Sequence, residues 1–211
     1  MKTSVIKTMI NKAINNEKST NGLAQLVIQV AGQNGKNMTI QEAKGVSNLV
    51  IEYVQLVPQF LEEGMNKSHQ FGLSNEIGHM MKELEYYWML EDDIIPDNLG
   101  LIGITDDAYA SMFLLQSLSD YCRQTSGRPL ISTDLTNMNK LIRNILGQPV
   151  ASAIEQKVQV TIGNNMLNQM INQMYQNIFS SGFTFNAMNS YLEQRQIEDQ
   201  VNVQMGAMGI V

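Results

Sequence analysis

The chain has 211 residues, enough for one large domain or two small ones, and 44% of them are hydrophobic, which furnishes a sizeable core. Its formal net charge of −6 argues against nucleic-acid binding, because phosphate affinity needs clustered Lys and Arg, and against acidic partners generally. One cysteine, Cys122, excludes an intrachain disulfide framework and suits a reducing compartment.

Lys2 and Lys7 precede neither a sustained apolar run nor a small-residue cleavage site, so no signal peptide is read there. Nor does any window approach the roughly 18 uninterrupted apolar residues that a bilayer crossing requires. The expectation is a cytoplasmic protein that does not span a membrane, with peripheral membrane contact left open.

In chain order, Ile6, Met9, Ile10, Ala13 and Ile14 recur on one face and predict a first helix over Ser4–Asn15. After a polar break at 16–21, Leu23, Leu26, Val27 and Val30 predict a second helix that stops at the Gly32–Gly35 stretch and packs antiparallel to the first. Thr39 and Glu42 form a capping box ahead of a third apolar stripe, Ile40 to Val54, which Pro58 should kink or end. A polar connector is expected over 62–70. Ser74 then caps a helix carrying Ile77, Met80, Met81, Leu84, Tyr87, Trp88 and Leu90.

That helix runs into the most unusual stretch of the chain, EDDIIPDNLGLIGITDDAY at 91–109. Pro96 has no amide hydrogen and pushes Ile95 out of the α region, so the chain must change direction here. Thr105 is the expected cap of the returning helix, with Asp106 and Asp107 in its first turn, where free amides and the helix dipole favour negative charge. Between these ends the loop is too apolar to lie in water, so the elbow should be tucked against the core. Between Lys82 and Arg123 there is no basic residue, and this hairpin is the acidic pole of the chain.

The run Tyr87, Asp93-Ile94-Ile95-Pro96-Asp97, Leu101-Ile102-Gly103 and Asp106-Asp107-Ala108 resembles the YkvA-like family, a domain family of unknown function. The likeness covers about the middle quarter of the chain. Glu91 and Gly100 stand where that family usually has prolines. The resemblance implies a bacterial-type helical hairpin, in relatives often near membranes, with no established chemistry.

Downstream, Thr133 is the expected cap of a helix through Leu135, Met138, Leu141, Ile142 and Ile145, ended by Gly147 and Pro149. A longer helix is predicted over 151–179, with Met166, Leu167, Met170, Ile171, Met174, Tyr175 and Ile178 at helical spacing and Gly163 as a weak point. A last one is predicted over 185–203. From Ala151 onward Lys157 and Arg195 are the only bases. The predicted architecture is an all-α multi-helix bundle with a central hairpin and an acidic Pro/Gly-containing elbow. It divides into N-terminal helices (1–70), the hairpin (71–125) and Met/Asn/Gln-rich C-terminal helices (126–211).

Two functions follow. The favoured one is non-enzymatic: an adaptor or assembly protein that meets a protein partner, or itself, through the acidic hairpin and the Met/Gln-rich helices, whose side chains repack readily. The alternative is a divalent-metal-dependent phosphoester hydrolase in which Asp93, Asp97, Asp106 and Asp107 ligate Mg²⁺ or Ca²⁺, hard cations that take oxygen ligands. The spacing is not that of an EF-hand, and a structural role has those aspartates bonded to a helix start and to loop amides. Glu76, His79 and Glu83 share a helical face and form a conceivable metal triad, for which a solvated face is the plainer account. Cys122 reads as a small buried apolar residue.

Overall fold

The computed structural model describes residues 3–70, 74–90, 94–96, 99–163 and 203–209. The fold is all-α, with no strand among the described residues. It comprises α1 (Thr3–Thr20), α2 (Gly22–Gln33), α3 (Ile40–Gln70), α4 (Ser74–Tyr87), α5 (Gly103–Ser126), α6 (Thr136–Leu146) and α7 (Gln148–Ile162). Residues 203–207 are also helical.

Two long helices organise the rest. α3 receives α1, α2 and α4, while α5 packs against α3 and carries α6 and α7 on its other flank. α1 and α2 therefore rest on α3 rather than chiefly on each other, unlike the antiparallel pair that their length suggests. The core is continuous from Ile6 to Met208 and has Tyr53, Trp88, Tyr109 and Met112 at its centre, all nearly sealed from solvent.

The break between α1 and α2 is a single residue, Asn21, in the left-handed region at φ 51°. α1 runs five residues past its predicted end because Glu17 turns inward. Its Oε1 accepts the Leu23 amide at 3.0 Å and so supplies a start to α2. Burial raises this carboxyl above its ordinary value of 4.5, against the pull of the Leu23, Ala24 and Gly22 amides.

α3 begins as expected: the Thr39 amide donates to Glu42 Oε2 at 2.8 Å and the Glu42 amide to Thr39 Oγ1 at 3.3 Å. It does not end at Pro58. A proline removes one backbone bond, and the buried Val54, Val57, Phe60 and Leu61 on either side hold the helix through it. Residues 62–70 are accordingly helix and not a connector. Their buried face continues through Gly64 and Ser68, residues too small or polar to register in an apolar count. At Gly64 a Cβ would lie 3.0 Å from Leu115, which shows how closely α3 and α5 approach.

Later boundaries also shift. α5 starts at Gly103, ahead of Thr105, whose hydroxyl donates back to the Leu101 carbonyl at 2.6 Å and does not accept an amide as a cap would. α6 is begun by Asp134 rather than Thr133: Asp134 Oδ1 accepts the amide and the hydroxyl of Thr136 at 2.9 and 2.6 Å. α7 opens at Gln148, with Pro149 in its first turn, and stops at Ile162, where Gly163 takes φ 29°. The predicted continuation to 179, with its methionine stripe, and most of the last predicted helix lie outside the described residues.

Candidate functional site: the elbow and the groove beside it

The elbow is entered through Trp88 and left through α5. Trp88 is fully buried, and its indole N–H donates to Ser111 Oγ at 2.8 Å; that hydroxyl donates to the Asp107 carbonyl at 2.8 Å. Between them Leu99 N–H bonds to Pro96 O at 3.0 Å, and Gly100 supplies the φ of 69° that the turn into α5 requires. Leu101 is buried, but Ile94, Ile95 and Ile102 are half-buried and Leu99 is 56% exposed, so the described part of the loop is tucked in less completely than its apolar character suggests.

Asp106 and Asp107 are both completely buried on α5. Asp106 Oδ2 accepts the Ile95 amide at 3.3 Å, so this carboxylate reaches across the elbow instead of capping its own helix. Asp93 and Asp97 lie outside the described residues. Among the described residues no group of three or more His, Cys, Asp and Glu side chains is placed to hold a metal ion. His79 and Glu83 do meet, with Nδ1 and Oε1 3.3 Å apart on an exposed face of α4; the Glu76 side chain lies outside the described residues. Cys122 is buried on α5, and burial pushes its thiol up to about 12, which removes it as a nucleophile at neutral pH.

Beside the elbow, α4, α5 and α7 enclose an open groove of about 510 Å³. Its floor is built from Met80 and Leu84 of α4, Ala110 and Leu114 of α5, and Ile154 and Val158 of α7, all buried. Polar groups stand at the rim: Lys82, His79 and Glu83 from α4, Lys157 and Thr161 from α7. Lys157 Nζ sits 4.3 Å from the centroid of the Tyr87 ring, a cation–π contact that ties α7 to α4 across the groove. Tyr86 of the groove wall is 65% exposed, and Met89, one turn on, is 56% exposed.

The far side of α7 is fixed by a second network. Glu155 Oε1 accepts both Tyr109 Oη and Arg143 Nε at 2.7 Å, joining α5, α6 and α7. Burial and this carboxylate together raise the Tyr109 hydroxyl far above its usual range, and the same carboxylate raises Arg143. Tyr53 Oη donates to Asn139 Oδ1 at 2.7 Å and pins α3 to α6. These partners are 46 and 86 residues apart in the chain, and no local spacing announces them. The groove was equally hidden, since its walls come from three segments whose apolar stripes read individually as core.

Comparison of the chain with protein-family models, with curated proteins and with solved structures found no match.

Proposed function

We propose that this is a non-enzymatic interaction or assembly protein, which holds a protein partner or a second copy against the face where α4, α5 and α7 meet. One observation carries the reading: an open concavity of the described structure has an apolar floor and the exposed Tyr86 in its wall, with the exposed Met89 three residues further along the chain, so it suits recognition more than reaction. The elbow supports it from the other side, because Asp106, a carboxylate that the hydrolase reading would assign to metal, is enclosed and engaged by the Ile95 amide. That same tie suits the YkvA-like hairpin that we propose for the central stretch, with Asp106 serving as an internal brace.

The test combines sedimentation with affinity capture, comparing the intact chain with a Tyr86→Asp, Met89→Asp double variant. Both positions are exposed, so the variant keeps its fold by circular dichroism. Self-association or a retained partner that disappears in the variant is the expected result. A monomer that retains nothing, or a partner retained equally by the variant, removes this face from the account.

A further inference from the structure

We infer that the α4–α5–α7 groove is a binding site for a singly charged anionic amphiphile, a long acyl chain ending in a carboxylate. This adds a small ligand to the interaction reading and does not depend on it.

The volume of about 510 Å³ falls within the range of roughly 300–1,000 Å³ usual for small-molecule sites. Chemistry within it is segregated by depth. The floor, Met80, Leu84, Leu114, Ile154 and Val158 around the small Ala110, offers contact to an apolar chain and no polar partner that a chain would leave unsatisfied. Among the described residues, the charged side chains that line the groove, Lys82, Glu83 and Lys157, are all exposed, at the mouth.

The sign and size of that charge select the head group. Lys82 and Lys157 bring two ammonium groups, and among the described residues neither is in an ion pair with a carboxylate. Glu83 brings one negative charge, already 3.3 Å from His79. Counting histidine as neutral, the described residues of the mouth carry one net positive charge on a chain whose formal net charge is −6. A single carboxylate balances it, whereas a cationic head group would meet like charge and a neutral alcohol would accept a hydrogen bond from a lysine without the charge attraction. Lys157 is moreover held over the Tyr87 ring, so its ammonium is already positioned beside the floor.

The experiment uses the full chain and a dansyl-labelled undecanoate whose emission rises in an apolar site, displaced in turn by dodecanoate, dodecanol and dodecyltrimethylammonium. Saturable binding is expected, with dodecanoate displacing the probe at a concentration about tenfold lower than dodecanol does. Ala110→Phe, which fills the floor, should abolish binding. Lys82→Glu, at an exposed position outside the Lys157–Tyr87 contact, turns the net charge of the described mouth from positive to negative and should reverse the order in favour of dodecyltrimethylammonium. Absence of saturable binding to the intact chain overturns the proposal, and so does equal displacement by all three amphiphiles. If Ala110→Phe fails to fold, the lysine reversal alone decides: an unchanged order sinks the proposal.

Discussion

At the scale of single residues, the structure places several polar groups where burial makes them costly to disturb. The Trp88 indole depends on Ser111 Oγ, 2.8 Å away in the sealed interior, and Ser111→Ala leaves that N–H without its acceptor. The expected loss is about 1–3 kcal/mol of stability, read by chemical denaturation, with Trp88 fluorescence as the reporter. Glu17 gives a pH signature. Its folded-state proton affinity is raised above the ordinary 4.5, so between 4.5 and the raised value the folded chain holds the proton more tightly than the unfolded one. Stability contributed by this group therefore grows as pH falls through that window and levels off below 4.5. Thermal unfolding of wild type and Glu17→Gln should show the difference in midpoint moving toward the wild type as the pH is lowered; a constant difference would mean that Glu17 titrates alike in both states.

At the scale of elements, local chemistry was legible wherever it is written in neighbouring residues. The Thr39–Glu42 box and the stop at Gly147 are both short-range signals, and the structure carries each of them. Boundaries that depend on distant packing were not. Pro58 reads as a helix end because its backbone cost is local, while the burial that outweighs it comes from the helices packed around α3. Glu17 reads as part of a polar break because nothing in the sequence says that α2 needs an amide acceptor there. Of the candidate metal ligands, the pair at 106–107 was legible as belonging to a helix start, but its complete burial was not.

Glycines in the elements test this account with opposite signs. Gly147 joins α6 to α7 at φ 84° and ψ 153°, and Gly147→Ala should cost about 1–3 kcal/mol. Gly32, within α2 and with open space where a Cβ would go, should gain about 0.4–1 kcal/mol on replacement by alanine, through a less disordered unfolded chain. Thermal midpoints that move the same way in both variants would contradict these assignments.

At the scale of the whole molecule, the sequence suggests an acidic pole and the structure moves part of that charge inside, since Asp106 and Asp107 are sealed from solvent. Recognition through the apolar groove and recognition through surface charge then make different demands on the solvent. Partner retention or self-association through the groove should persist at about 1 M salt, where the Debye length is about 3 Å. Loss of association under those conditions would move the interface to the exposed carboxylates. Rigidity of the groove is a property of the assembly as well, because α7 is tied on one flank by Glu155 and on the other by the Lys157–Tyr87 contact. Glu155→Gln should weaken the bond to Arg143 and reduce the amide-exchange protection of α7 before that of α3.

The lone thiol gives the molecule a built-in clock. Cys122 sits 1% exposed near the C-terminal end of α5, within the shared core, and its high proton affinity keeps it unreactive while it stays there. A thiol-alkylating reagent can therefore reach it only through molecules that have momentarily opened. The labelling rate, followed by mass without any introduced probe, reports how often the C-terminal end of α5 opens. Any occupant that stabilises the closed bundle should slow that clock in proportion to its own occupancy.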